Sequence, residues 1–378
     1  MPDNTLNDSS RHNTLQSGIS LIYRQNHVID ASRAIGTQSA RTPLRGLIVA
    51  RALETISMKP DEFWKNFRLG EELAISGNFI YDGLRRFHEM QRLDYDEELF
   101  DFLYHVSVGL ERLTKIAIVL CEHKDATDQD SLEKSLITHN LNDLIARLKK
   151  SSAINLGAIH NELISILTTF YNSLRYDRFT LASSLNGGKE RKALIGWLEK
   201  SLNMTLDDGN TIFGIDNPER CRKLTRKTIL KISQQIYEVI QKEAKRLNLY
   251  TYELRHASKA ESVFLREVDI ADEDVLWKEL LVFFMNTRST SGYLRYLRGI
   301  EPLDFDPALA DDYLACFASD SAKARVMDEL EHLYSEIEGG PRSRLEDMAI
   351  INAPNVYFDE EDESEEQAEP EDEDGPAL

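Results

Sequence analysis

The sequence lacks the marks of membrane, secreted and disulfide-rich proteins. No run approaches the ~18 consecutive apolar residues of a membrane-spanning helix, and the polar N-terminus has no basic region leading into an apolar segment. The three cysteines, Cys121, Cys221 and Cys316, lie far apart and form no CxxC pair. Sparse free thiols are typical of a reducing compartment, so we expect a cytoplasmic protein that contacts no membrane.

Most catalytic and cofactor signatures are absent as well. The chain contains no HExxH or GxSxG motif and no paired His/Cys spacing for a metal ion. The segment Gly187-Gly188-Lys189 resembles the end of a phosphate-binding loop, but Ser183 replaces the first glycine and Glu190 replaces the Ser or Thr that binds magnesium. We therefore predict no metal and no cofactor.

The net charge of −20 is concentrated near the C-terminus. Residues 359–374 contain twelve acidic side chains, and no Lys or Arg follows Arg344. The rest of the chain carries only eight of the twenty net negative charges, which leaves room for a local basic patch. A segment so rich in charge cannot bury enough apolar surface to offset its chain entropy, so we expect residues 359–378 to be disordered and free to contact a protein partner.

Apolar residues recur every three or four positions through most of the chain, which is the period of an amphipathic helix. The pattern is longest in residues 97–122 and returns in 156–174 and 218–247. A further helix is predicted at 43–57, where proline occupies the first helical position. No segment alternates apolar and polar residues as a strand would, so the sequence predicts an all-α fold.

Changes in composition divide the chain into four parts. The segment 183–192 concentrates Ser, Asn and Gly, which is typical of a domain boundary. We predict two helical-bundle domains, 42–188 and 189–345. A flexible, polar N-terminal arm (1–41) precedes them, and a disordered acidic C-terminal tail (346–378) follows them.

Three segments in the first predicted domain carry the clearest motifs. The first is the helical run ELFDFLYHVSVGLERLTKIAIVLCEH, which contains Glu111 and Lys115. The second is THNL at residues 138–141, and the third is the pair Arg175-Tyr176 at the close of a further helix. In this order the segments resemble the higher eukaryote and prokaryote nucleotide-binding (HEPN) family of four- to five-helix domains, over residues 95–185. Glu111 and Lys115 are also spaced for a simple ion pair on one helix face.

The resemblance implies a role near RNA or nucleotides, often in prokaryotic defence or toxin–antitoxin systems, and frequently as a homodimer. In catalytic HEPN members, an Arg and a His separated by four to six residues near the start of a late helix cleave RNA. The cation stabilises the phosphorane, and the imidazole transfers protons. Here no histidine follows Arg175 or Arg178 within that spacing. The implied role is therefore binding or regulation rather than cleavage.

Arg175, Tyr176 and Arg178 are the candidate ligand-binding residues of the third segment. These residues lie where the family's late helix should begin, and two arginines around a tyrosine at a helix start suit a phosphate or a nucleotide. Such side chains are also common as structural or solvated residues. His139 is a further candidate. Its position beside Asn140, a predicted helix cap, equally suits a role at the helix entry.

A second candidate surface lies on the helix predicted at 218–247. At 100° per residue, four cations fall on one face, opposite Ile232 and Ile236. We call these four residues the basic ridge: Arg220, Lys223, Lys227 and Lys231. A ridge of this kind can bind the phosphates of a nucleic acid, or it can be a solvated face paired with local carboxylates.

Three hypotheses follow. The first is a non-catalytic, HEPN-like helical protein with a regulatory role that involves RNA or a nucleotide. The second is a helical scaffold whose helices and acidic tail contact other proteins and no nucleic acid. The third is a HEPN-type endoribonuclease that pairs Arg175 or Arg178 with a histidine remote in sequence, such as His139 or His160.

Overall fold

The computed structural model describes residues 58–184, 188–206, 214–266, 269–289, 291–354 and 356–358. The predicted N-terminal arm (1–41), the predicted helix 43–57 and the acidic residues 359–378 lie outside these ranges. All described residues from Pro60 onward belong to one structural unit.

The described residues form helices joined by turns and loops. The helices of seven or more residues are α1 (Leu69–Glu89), α2 (Asp96–Glu122), α3 (Gln129–Ser135), α4 (Leu141–Ser151), α5 (Ala158–Thr169), α6 (Lys189–Leu202), α7 (Glu219–Leu247), α8 (Ile270–Asn286), α9 (Gly292–Gly299), α10 (Ala310–Ala318), α11 (Asp320–Ser335) and α12 (Arg342–Ile350). No strand occurs within the described ranges, where Arg92 and Asp216 form an isolated bridge. The predicted all-α fold is confirmed.

The helix ends follow local sequence signals. The side chain of Asn140 accepts a hydrogen bond from the amide of Asp143 at 3.2 Å, so it caps α4 as predicted. Asn203 and Asn248 end α6 and α7 in the left-handed conformation, with φ of 51° and 55°. Asparagine tolerates that conformation better than most residues, which explains why these helices stop there. None of the helices described here has the length and apolar character to cross a membrane.

Glycines allow α1 and α2 to pack very closely as an antiparallel pair. A Cβ atom on Gly83 would lie 2.6 Å from Cγ2 of Val106, and one on Gly109 would lie 2.6 Å from Cγ1 of Ile80. Each helix therefore contributes one glycine to the contact, and any larger residue would push the two backbones apart.

One hydrophobic core extends from Leu69 to Ile270, and α2 lies at its centre. This helix packs against α1, α4, α5 and α7. The core also includes Trp197 of α6 and Ile236 of α7. Side chains from both sides of the predicted boundary at residue 188 thus contribute to the same core. The division into two domains stays a prediction about independent folding.

Hydrogen bonds join the segment that precedes α7 to the C-terminal end of α1 and to the residues that follow it. The side-chain amide of Asn217 donates to the carbonyl oxygens of Phe87 and Met90 at 2.9 and 3.0 Å. The amide of Leu93 donates to the carbonyl of Ile215 at 2.7 Å. These hydrogen bonds fix where α7 begins, and hence the position of the basic ridge.

Burial of side chains almost stops after Ile270. Among the described residues beyond that point, Ala322 is the one buried side chain. Helix α8 leaves large apolar residues exposed along its length, among them Val275, Leu276, Leu280, Val282, Phe283 and Met285. Glu273 and Asp274, near the start of α8, contact α1, and Trp277 stacks on Phe317 of α10.

The C-terminal tail begins later than predicted. Residues 346–350, placed in the disordered tail by the sequence analysis, belong to α12. The ring of Phe358 lies 4.8 Å from that of Tyr293 and 5.1 Å from that of Tyr296, measured between centroids. The physical reason is composition, because apolar and aromatic residues continue to Phe358 and the acidic run starts only at Asp359.

Candidate functional site

The three motif segments meet around the ring of Tyr171. Glu111 and Lys115 lie on α2, His139 lies in the turn before α4, and Arg175 follows Tyr171 by four positions. The imidazole of His139 meets the Tyr171 ring edge-on, with centroids 5.2 Å apart. Cζ of Arg175 lies 3.9 Å from the centroid of the same ring. We call these five residues the Tyr171 cluster.

A buried carboxylate organises one side of the cluster. Glu111 is 7% exposed, and it accepts a hydrogen bond from Nζ of Lys115 at 2.6 Å and one from Nδ1 of His139 at 3.1 Å. A carboxylate in such a place needs donors to replace its lost hydration. The predicted Glu111–Lys115 ion pair is therefore present, and it extends to His139.

The orientation of His139 follows from this contact. Because an ionised carboxylate can only accept, the hydrogen bond places the proton of a neutral His139 on Nδ1. Nε2 then has its lone pair free, and the side chain is exposed. An imidazole held in this way can accept a proton or bind a ligand through Nε2.

Tyr171 remains a neutral phenol at physiological pH. Burial raises its pKa, and the nearby charge of Glu111 raises it further, while Arg175 acts in the opposite direction. The ring therefore offers a neutral aromatic face between the imidazole and the guanidinium.

A wide helical turn brings Arg175 over Tyr171. Residues Phe170–Leu174 form a π-helical segment directly after α5, and such segments are frequent at functional sites. Nε of Arg175 is buried and has no hydrogen-bond partner among the described residues. The exposed Tyr176 extends the aromatic surface, because Cζ of Arg175 also lies 4.6 Å from its ring centroid.

Arg178 has a different role from Arg175. Nη2 of Arg178 donates to Oε1 of Glu190 at 2.7 Å, and Nη1 lies 3.5 Å from a carboxylate oxygen of Asp96. Glu190 is itself buried. Arg178 thus compensates a buried charge between α2 and α6, which favours the structural reading of this predicted site residue.

The basic ridge is present on the surface of α7. Its four side chains are exposed, and none of them lies within ion-pair distance of a carboxylate in the described parts of the chain. The neighbouring Arg222 and Arg226 instead pair with Glu219 and Asp269. The ridge therefore keeps its positive charge uncompensated by the described residues.

His160, the second histidine considered for catalysis, lies near the ridge. Burial lowers the pKa of His160, and the nearby charge of Lys231 lowers it further. The backbone of Gly157 acts in the opposite direction. His160 belongs to the first turn of α5, whereas the Tyr171 cluster follows the end of that helix. Of the two histidines, His139 is the one that shares an aromatic ring with Arg175.

Sequence reasoning misses Tyr171 itself. Its spacing of four residues before Arg175 was a usable signal, since side chains so spaced can share a helix face. That signal alone could not distinguish a site residue from one that only packs against the core.

Within the described ranges, no group of His, Cys, Asp and Glu side chains is arranged to hold a metal ion. Comparison of the chain with protein-family models, with curated proteins and with solved structures finds no match.

Proposed function

We propose that this protein is a HEPN-like helical protein that binds RNA or a nucleotide at the Tyr171 cluster in a regulatory role. The observation that carries the proposal is the sharing of one tyrosine ring by an imidazole and a guanidinium. A guanidinium recognises phosphate oxygens, and aromatic side chains stack on bases. A cytoplasmic setting in prokaryotic defence or a toxin–antitoxin pair belongs to the same proposal.

Each residue has a distinct role in the proposed binding site. Arg175 binds a phosphate, the exposed Tyr176 offers aromatic surface to a base, and His139 contributes a hydrogen bond through Nε2. The buried ring of Tyr171 positions Arg175 and His139. The basic ridge is a second region for the backbone of a longer RNA, since it offers four exposed cations on one helix. Arg178, which is paired with the buried Glu190, has a structural role and is not assigned to the ligand.

The test is a titration of labelled ligand with the full-length protein and matched variants. A fluorescent single-stranded RNA and a fluorescent ATP are titrated, and anisotropy reports binding. Arg175→Gln is expected to weaken binding at least tenfold, because a charge-assisted contact is lost. Arg68→Gln removes an equal charge from an exposed pair with Glu71 and should leave the affinity unchanged. Equal affinities for the two variants would contradict the proposal.

An endoribonuclease is the second candidate, and one observation favours it. Glu111 orients His139 through Nδ1, which leaves Nε2 available as a general base, and Arg175 lies on the same ring as a cation for the phosphorane. Labelled tRNA is incubated with the native protein and with the His139→Ala and Arg175→Ala variants. Cleavage that both substitutions abolish would favour this candidate. The absence of the family's Arg–His spacing leads us to expect binding without cleavage.

A protein-interaction scaffold is the third candidate, and the apolar residues exposed on α8 favour it. The homodimer implied by the family resemblance also remains a proposal. The apolar residues around the circumference of α2 do not require a second copy, because they are covered within one chain. Phe102 and Leu103 are fully buried, and Phe100 and Tyr104 are half-buried against the same core.

A further inference from the structure

We propose that the acidic C-terminal segment, Asp359–Asp374, docks on the basic ridge of α7 as an intramolecular ligand. The inference concerns an interaction surface and its occupant. It rests on the charge and exposure of the ridge and on the charge and length of the acidic segment, and it does not depend on the Tyr171 cluster.

The ridge is a rigid strip of positive charge. Ile232 and Ile236 hold the opposite face of α7 in the core with no exposure to solvent. The ridge spans twelve positions, from Arg220 to Lys231, and the eleven steps between them cover roughly 17 Å at 1.5 Å per residue. Its cations lack carboxylate partners among the described residues, so their positive charge is available to an external or tethered polyanion.

The acidic segment is the complement of this strip within the same chain. Twelve of its sixteen residues are Asp or Glu, and it contains no Lys or Arg. The electrostatic attraction of such a polyanion is strongest where cations are closely spaced and not already neutralised. Arg222 and Arg226 on the adjoining face are already paired with Glu219 and Asp269, which makes the ridge the better match.

The length of chain beyond its last described contact sets the reach of the segment. The chain is held at Phe358, whose ring packs against Tyr293 and Tyr296, and the acidic run begins at the next residue. Sixteen extended residues span up to about 55 Å. That length is comparable with the diameter of a folded body of ~300 residues, roughly 50 Å.

Tethering compensates for the weakness of each contact. Exposed ion pairs are individually weak and are screened by salt. A short flexible tether, however, holds its ligand at an effective concentration in the millimolar range. The docked segment should therefore exchange between many pairings, dissociate as salt rises, and shield the ridge from loosely bound polyanions.

The first experiment uses the native full-length protein. A carbodiimide, which joins a lysine amine to a carboxylate in direct contact, is applied at low protein concentration and low salt, and the cross-links are mapped by mass spectrometry. We expect tail carboxylates to be joined to Lys223, Lys227 and Lys231 within single chains. Lys124 and Lys134 are the internal controls, because both are exposed and have no carboxylate partner among the described residues. Cross-links spread equally over ridge and control lysines would overturn the proposal.

The second experiment measures affinity at matched net charge. The receptor is the full-length chain with the twelve acidic residues of the segment changed to Asn and Gln, and the ligand is a labelled peptide of residues 359–378. Lys223→Glu with Lys227→Glu should weaken peptide binding at least tenfold. Lys124→Glu with Lys134→Glu makes the same change in net charge and should alter it less than about twofold. Equal weakening by both pairs, or no binding of the peptide to the receptor at low salt, would refute docking on the ridge.

Discussion

Arg175 holds its guanidinium carbon 3.9 Å from the centre of the Tyr171 ring, on the wide turn that follows α5. The ring is buried and the arginine is half-buried, a setting in which a cation–π contact is stronger than in open solvent. The contact fixes the guanidinium beside His139 and thereby joins two motif segments that are far apart in the sequence.

This pair leads to a prediction about the aromatic ring. Tyr171→Leu should lower the free energy of unfolding by about 1–2 kcal/mol, because both packing and the cation–π contact are lost, and it should weaken ligand binding. Tyr171→Phe keeps the ring and should retain most of the stability. Urea unfolding and ligand anisotropy measure the two effects. A Phe variant as unstable as the Leu variant would mean that the hydroxyl, and not the ring, supports Arg175.

The close approach of α1 and α2 leads to a second prediction. Gly109→Ala should destabilise the protein by about 1–3 kcal/mol, because the new methyl group would collide with Ile80. Gly70 lies within α1, and a Cβ added at this position would have no atom within 4 Å. Gly70→Ala should therefore raise stability by about 0.5–1 kcal/mol through helix propensity. Thermal unfolding compares the two variants, and a neutral Gly109→Ala would show that the helices can separate without cost.

The third prediction concerns the loss of stability at low pH. Burial acts to raise the pKa of Asp94, but hydrogen bonds from Arg92 and the amide of Ile215 outweigh it and hold the pKa below its ordinary value. The unfolded chain therefore takes up this proton more readily than the folded protein. The resulting stabilisation is complete above the ordinary aspartate pKa of about 3.9 and is lost as pH falls through the lower, folded value.

We expect Asp94→Asn to lower stability at neutral pH and to flatten the loss of stability as the pH falls below about 4. Urea midpoints measured across this range test the prediction. Asp125→Asn, at an exposed position, serves as the control. If both variants keep the slope of the native protein, Asp94 is not a source of the acid dependence.

The fourth prediction concerns self-association. Because the apolar residues of α2 are covered within the chain, the uncovered apolar residues of α8 are the better candidate for a contact between copies. We expect the average mass measured by light scattering to rise with concentration, and Leu280→Glu to suppress that rise. Ile137→Glu places the same charge at another exposed apolar position and should have no effect. A native protein that stays monomeric at micromolar concentration would refute the prediction.

Much of the helical architecture can be read from the sequence. The apolar stripes at 97–122 and 218–247 predict α2 and α7 to within a residue or two at each end, because buried positions on a helix must recur with its period. The short helices α3 and α12 were not predicted, since neither carries a long stripe. The glycine contacts between α1 and α2 also escape prediction, because they join positions that only the folded chain brings together.

Some features of the candidate site can likewise be predicted from the sequence, and others cannot. His139 and Arg175 can be selected singly from the sequence, and the exposed face of the ridge follows from helical geometry. Their convergence on Tyr171 depends on how α2, α4 and α5 pack. The neutralisation of Arg226 by Asp269 likewise depends on a partner more than forty positions away. Such partners have no local signature.

The end of burial at Ile270 implies a hierarchy of opening motions. Backbone hydrogen bonds in helices with little buried apolar surface break through local fluctuations, whereas those of a central helix require global unfolding. Amide hydrogens of α9 to α12 should therefore exchange with solvent long before those of α2. A partner that binds the C-terminal helices would therefore slow the exchange of the amide hydrogens of α9 to α12. The most slowly exchanging amides of the chain would be unaffected.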